Sequence, residues 1–368
     1  RCMSLATLIH RASLPSPQVS AEQALELLEG HYGLSGRLHA LGSQQDLNFR
    51  VDSDQGRFVL KICRGDYSAL ELQAQHAGLK QLGEHSGVHV PRVIPAINGA
   101  ELLTLEVGGQ AVHMRLLDYI EGQSLTHLDH LPGPVVAGFG RLCGEMDLAL
   151  AAFEHPGLER TLQWDARHAS ALIGHLLPVI KDDAQRQLIA DAAERAERHL
   201  LPLVDKLPVQ AIHMDITDDN VVWQRDSQRQ WQLQGVIDFG DLIRTWRITD
   251  LSVTCAALLH HADGDPFYIL PAVQAYHAVN PLTHEELLAL WPLIVARAAV
   301  LVLSGEQQVS IDPGNDYSRD NLSHEWEIFR VATSLPLELM EAAILTSVGQ
   351  TLPSIGSEGF APLLPSLV

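Results

Sequence analysis

Acidic residues outnumber basic ones by 45 to 25 in a chain of 368, and the resulting formal charge of −20 excludes broad binding to nucleic acid or anionic membrane. A hydrophobic share of 46% against 19% charged excludes a disordered chain, and the length allows two lobes, each burying its own core. The acidity suits a cationic substrate such as an amine, and equally serves solubility.

Ser20 followed by AEQALELLEGHYG predicts a capped amphipathic helix, with Ala24, Leu25, Leu27 and Leu28 on its apolar face and Gly30 and Gly33 at its end. The apolar period then falls to 2. Residues 36–50 predict two strands round a polar turn and residues 57–62 (RFVLKI) a third, in a small antiparallel sheet. Lys61 lies in the third strand, and the helix predicted from Ser68 to about Leu82 carries Glu71 on its first turn. A strand-borne lysine fixed by a glutamate on the next helix presents a cation to nucleotide phosphates. The turn at residues 42–48 (GSQQDLN), where a lid over those phosphates is expected, has a single glycine. Its donors are therefore expected from side chains such as Ser43.

Residues 88–93, 101–107 and 111–120 predict further strands, and the chain then leaves the sheet through a turn at Gly122. Leu117, Asp118, Tyr119 and Ile120 are the expected hinge, whose backbone would meet the edge of a nucleotide base. From Pro132 helical periods dominate, over 135–152, 164–178, 183–204, 248–262, 265–279, 284–304 and 321–345. Three prolines and weak periodicity after Gln350 predict a tail or linker over 350–368.

Four cysteines without a C-x-x-C pair predict reduced thiols in a cytoplasmic setting. The 19 histidines include no H-E-x-x-H, and His260-His261 is expected to be a solvated pair. No apolar run is expected to reach the roughly 18 residues of a membrane span, and the N-terminus lacks a signal pattern. Starting at Arg1 without Met, the chain is expected to be a piece of a longer protein.

The chemistry concentrates in residues 211–241. His213, Asp215 and Asn220 form H-x-D-x-x-x-x-N, and a predicted hairpin then leads to Asp238-Phe239-Gly240-Asp241. Phosphoryl transfer needs a carboxylate to orient the attacking hydroxyl, and an amide plus a second carboxylate to hold Mg²⁺ on the phosphates. Asp215 and the pair Asn220 and Asp238 meet those needs. His213 is expected to brace the loop. Asp250 reads as a helix N-cap that also braces it. Asp241 either binds a substrate amine or caps the following segment. Asp218, Trp246, Arg297, Tyr317 and Trp326 are candidates for a substrate pocket, and Arg244, Arg247 or Arg297 would meet a substrate carboxylate.

Taken in order, Lys61, Glu71, HMDITDDN and VIDFGD resemble the aminoglycoside phosphotransferase and choline kinase family, small-molecule kinases related to protein kinases. The likeness spans about residues 20–345, and LGSQQDLNFRV followed by RFVLKI is most similar to the hydroxylysine kinase branch. The resemblance implies an α+β, protein-kinase-like two-lobed fold. A small antiparallel β-rich lobe would cover residues 1–120 and a larger, mainly helical lobe residues 121–349. It also implies Asp215 as catalytic base, Asn220 and Asp238 on Mg²⁺, and Lys61, positioned by Glu71, on the phosphates of ATP or GTP. The implied acceptor is a hydroxyl on a small amine-bearing molecule such as 5-hydroxylysine. The branch also occurs fused to an aminotransferase-like domain, so a further enzymatic domain is expected in the full-length protein. Two positions depart from the pattern: Met214, where many relatives have Gly, and Asp147, where relatives often have His. An aminoglycoside-type antibiotic kinase or a homoserine kinase of this fold are alternatives, and so is a silent nucleotide-binding module.

Overall fold

A computed structural model of the chain describes residues 16–43 and 46–350. The expected tail therefore lies outside the described residues, apart from Gln350, as do Gln44 and Gln45 of the lid turn and the side chain of Tyr317. Helix α1 (Ala21–Tyr32) starts with a capping box, in which Ser20 and Gln23 satisfy each other's backbone N–H, and ends at Gly33 with φ +65°. Strands β1 (Gly36–Leu41), β2 (Leu47–Ser53) and β3 (Gly56–Arg64) form an antiparallel meander. Helix α2 (Ala69–His85) follows, then β4 (Val93–Ile94), β5 (Leu103–Val107) and β6 (Gln110–Asp118). The sheet runs β1-β2-β3-β6-β4, with β5 also on β6. Its inner face and α1 bury one core, which includes Leu28, Val51, Leu60, Ile62 and Met114. Most of residues 88–93 are irregular, because only Val93 and Ile94 pair with β6.

The second core is larger and mainly helical. It is built by α3 (Gly133–Leu150), α4 (Ala169–Leu176), α5 (Asp183–Leu200), α6 (Ile248–Leu258), α7 (Leu270–Val279), α8 (His284–Ile311), α9 (Asp316–Ala332) and α10 (Leu337–Ser347). Between α5 and α6 lie β7 (Val209–Ile212), β8 (Val221–Arg225), β9 (Trp231–Val236) and β10 (Ile243–Trp246). Strands β8 and β9 form the predicted hairpin, and the β7–β10 pair that flanks it is an addition to the sequence-based expectation. Several predicted helices break. The 321–345 segment splits before Pro336, which cannot continue α9. In 164–178, Asp165 caps a short 3₁₀ turn ahead of α4.

Helix α8 departs from expectation as well. Its most apolar stretch has a mean hydropathy of 2.2 and meets the length and composition of a membrane span, but 78% of that stretch is buried inside the protein. It is the central strut against which α5, α6 and α9 pack. The two cores are joined at Gly122, which takes φ +139°. A side chain there would place Cβ 2.6 Å from the Trp223 carbonyl, so glycine alone lets Gln123 and Trp223 exchange their backbone hydrogen bonds.

Asp147 on α3 is fully buried. Its Oδ2 accepts from the Tyr276 hydroxyl at 2.5 Å. Its Oδ1 and the Oδ2 of buried Asp250 have no other partner, and their carboxyl groups lie within 4.8 Å. Burial, with the neighbouring Asp250 charge, pushes the Asp147 carboxyl well above the usual carboxylate range. A proton kept on Asp147 thus satisfies both orphan oxygens. Asp147→Ala is expected to lower unfolding stability by ~2–4 kcal/mol, because the Tyr276 hydroxyl and an Asp250 oxygen lose their partners. Asp147→Asn keeps a donor and an acceptor in place and should stay within ~1 kcal/mol of the parent in urea unfolding at pH 7. Equal losses from the two variants would exclude the shared proton.

Candidate active site

The loop after β7 is held in a conformation that costs backbone energy. Met214 sits at φ +76°, where glycine is at ease and a long side chain is not. Its N–H donates to Asp250 Oδ1 at 2.8 Å, and its side chain is buried against Ile212 and Ile243. Asp250 lies inside the first turn of α6 and does not cap it; Arg247 occupies the N-cap. His213 donates from Nε2 to the Ile237 carbonyl at 3.0 Å and accepts the Asp215 N–H at Nδ1, 3.1 Å away. Those two bonds define its tautomer and tie the loop to β9.

Asn220 Nδ2 donates both to the Asp215 carbonyl at 3.0 Å and to Asp215 Oδ2 at 2.8 Å. With the nitrogen so used, Asn220 Oδ1 is left for a ligand. Asp238 also has a left-handed backbone, at φ +58°. Its Oδ1 accepts from the Gly240 N–H at 3.2 Å and lies 3.9 Å from Lys61 Nζ, whose charge holds the carboxyl below its ordinary range. The Asp238 side chain is 50% exposed to the cleft. An amide oxygen and an ionised carboxylate facing one cleft form the hard-oxygen donor set that suits Mg²⁺.

On the sheet side, Asn48, Lys61 and Arg115 stand opposite one another across β2, β3 and β6. Residues opposite in antiparallel register share a face, so these three present a polar row to the cleft. Arg115 had no sequence signal as a site residue, because an arginine in an apolar strand reads as an edge or surface position. Ser43 Oγ accepts the Asp46 N–H at 3.2 Å and so caps the lid turn.

Glu71 does not fix Lys61. Its carboxylate pairs with Arg160 at 3.3 Å, and Arg160 Nη2 also donates to the Gly240 carbonyl at 2.5 Å. The first turn of α2 is thereby tied to the segment after Asp238 instead. At the hinge, the N–H groups of Asp118 and Tyr119 already bond to the carbonyls of Arg92 and Arg57. The Asp118 carboxylate also accepts from the backbone N–H and the guanidinium of Arg92. Two of the four expected base-edge donors are therefore engaged. Leu117 pairs with Val59 and Val93 in the sheet, and Ile120 is buried against Gly235.

Burial pushes the Asp215 carboxyl up to about 8, and the nearby charges of Asp241 and Asp238 add to the rise, with Arg297 opposing it. Arg297 Nη2 is 4.0 Å from Asp215 Oδ1, and its guanidinium lies over the Trp164 ring at 5.3 Å. Asp241 is likewise raised by burial, against the pull of Arg160. Burial also pushes Glu325 on α9 up to about 8, with Arg297 opposing. Sequence reasoning missed Trp164 and Glu325, since neither lies near a motif.

Several pocket candidates are placed elsewhere. Asp218 Oδ2 accepts from His260 at 2.6 Å and from His261 at 2.8 Å. Although burial pushes it up, those bonds hold Asp218 at about 2. His260 and His261 are thus a buried clamp on the loop and not a solvated pair. Trp246 ends β10 opposite Val209 and packs on the helical core. Arg247 is committed to Glu286, and Arg244 lends only its carbonyl, to Arg167. The Trp326 indole N–H donates to Glu306 at 3.0 Å. Of the three arginines expected to meet a substrate carboxylate, Arg297 alone stands beside Asp215.

The model of the phosphotransferase enzyme family matches residues 37–291. The hydroxylysine kinase of Danio rerio is 24% identical over 336 residues, which span 85% of this chain and 93% of that protein. The homoserine kinase of Methylobacillus flagellatus is 30% identical over 288 residues, covering 77% of this chain and 83% of the relative. Among solved structures, a microcompartment-associated aminopropanol kinase shares the fold with a TM-score of 0.66, 18% identity, and coverage of 89% of this chain and 99% of the other. The chain belongs to the phosphotransferase enzyme family, and it is a small-molecule kinase with a nucleotide co-substrate and an alcohol group as phosphoryl acceptor.

Proposed function

We propose that this kinase transfers the γ-phosphate of ATP or GTP, with Mg²⁺, to the hydroxyl of a small amino alcohol or hydroxy amino acid, 5-hydroxylysine being the first choice. The observation that carries the reading is the Asn220 side chain. Its nitrogen is anchored on Asp215 at 2.8 Å, so that one residue orients the base and leaves its amide oxygen for a ligand. Asn220 and Asp238 would hold Mg²⁺, which would supply positive charge to offset that of the phosphates. Lys61 would contact the phosphates from the sheet side, 3.9 Å from Asp238. Asp215 orients the acceptor hydroxyl and takes its proton late, since a loose transition state asks little of the base.

The acceptor side supports an amine. Asp215, Asp238 and Asp241 are close enough for each to feel the others' charge. An ammonium about 4 Å from such carboxylates gains a few kcal/mol before its desolvation is subtracted. Arg297 is the cation available to a substrate carboxylate. The likeness to hydroxylysine kinase favours hydroxylysine, and the 30% identity to a homoserine kinase favours homoserine as the second reading.

Asp215→Asn and Asp238→Ala should each reduce turnover on the order of 10²-fold or more, because both groups act chiefly in the transition state. Neither change removes a large apolar contact, so thermal melting should stay near that of the parent. A near-normal rate at saturating Mg²⁺ would remove the substituted residue from the mechanism. For substrate, kcat/KM measured with ATP and with GTP should be higher for hydroxylysine or homoserine than for their deaminated and neutral analogues. Simple alcohols or sugars reacting equally well would end the amine reading and leave the kinase intact.

A further inference from the structure

Arg115 is 7% exposed, yet it makes no hydrogen bond or ion pair with any described residue. A buried guanidinium without a counter-charge is costly to keep, since desolvation is then unrecovered. Arg64, the other buried arginine among the described residues, is paired with Asp66. Arg160 and Arg297, at the edges of the same cleft, have Glu71 and Asp215. Among the described residues Arg115 thus stands apart as a buried arginine with no carboxylate in ion-pair contact.

Its position says which anion is missing. Arg115 is directly opposite Lys61 in the β3–β6 register, and Lys61 is directly opposite Asn48 in the β2–β3 register. Asn48 Oδ1 is itself buried and unpartnered. The same row therefore holds two cations and an amide, all on the face from which Lys61 reaches toward Asp238. Arg115 interacts electrostatically with Asp238, and with Asp46 at the end of the lid turn. On the α2 side its neighbour His76 is held unprotonated, pushed down to about 3 by burial and by the Arg115 charge. Meanwhile Glu71 is committed to Arg160, and the lid has too few glycines to cradle phosphate with backbone N–H groups.

We propose that Arg115 is a second phosphate-binding cation, standing beside Lys61 and receiving oxygens of the nucleotide's phosphate chain. The inference rests on the kinase reading and adds a residue to its nucleotide site. A planar guanidinium offers several donors in a fixed fork, which suits phosphate oxygens better than a second ammonium would. The same unpaired charge costs the empty protein stability, so the residue is kept for binding and not for folding.

The test is calorimetric binding of AMP-PNP with Mg²⁺ to the parent, Arg115→Met and Arg115→Lys, with thermal melting of each nucleotide-free protein. Arg115→Met should weaken AMP-PNP at least about tenfold. Arg115→Lys should recover part of that loss, and the melting temperature of nucleotide-free Arg115→Met should be unchanged or higher. Where Arg115→Met does not fold, Arg115→Gln replaces it as the uncharged variant. Affinity within twofold of the parent in the uncharged variant overturns the proposal, and so does an equal loss in the charged and uncharged variants. A parent that binds no nucleotide would instead overturn the kinase reading itself.

Discussion

The hydrogen bond from the Met214 N–H to Asp250, 2.8 Å long and fully enclosed, is the contact on which the site depends. Met214 has a left-handed backbone that costs energy in isolation, and a buried carboxylate accepting its N–H offsets that cost. Released from Asp250, residue 214 would relax and carry Asp215 with it. The second oxygen of Asp250 lies beside the Asp147 carboxyl, whose proton affinity burial raises. The chain from α3 through α6 to the loop is thus a series of buried polar groups, each satisfied by the next. The Met214 side chain is absorbed by apolar packing against Ile212 and Ile243.

The cleft above this support is a concentration of like charge held together by a few cations. Burial and neighbouring acids raise the proton affinity of Asp215 and Asp241 against the pull of Arg297 and Arg160, while Lys61 lowers that of Asp238. Asp238 is kept ionised mainly by Lys61, which ties the charge of the sheet lobe to an acid of the helical lobe. Without the nucleotide this arrangement is short of anions on the sheet side and over-supplied with them on the helical side. Phosphate on one side and a cationic acceptor on the other would relieve both imbalances.

Much of this was legible in the residues, because the chemistry lies in local patterns. The β8–β9 hairpin, the lysine strand and the order of motifs depend on spacings of a few positions, and the switch from period 2 to period 3.6 after Gly122 marks where sheet gives way to helix. What was not legible depends on contacts across the chain. Glu71 follows Lys61 by ten positions, but Arg160 competes for it from a loop 89 residues away. Asp218 looked like a pocket residue until His260 and His261 closed on it from 42 and 43 positions downstream. Arg115 could not be separated from an ordinary strand arginine without the register that sets it beside Lys61. The long apolar α8 was misjudged for a related reason: burial, and not composition, separates a core strut from a membrane span.

The central claim is that Asn220 and Asp238 jointly hold the divalent ion on the nucleotide, and electron paramagnetic resonance of Mn²⁺, used in place of Mg²⁺, tests it most directly. The free-Mn²⁺ signal should fall when the parent and ADP are mixed, and the ternary complex should bind Mn²⁺ at least about tenfold more weakly in both Asn220→Ala and Asp238→Ala. Mn²⁺ affinity unchanged in either variant, with ADP bound as tightly as before, would contradict the account.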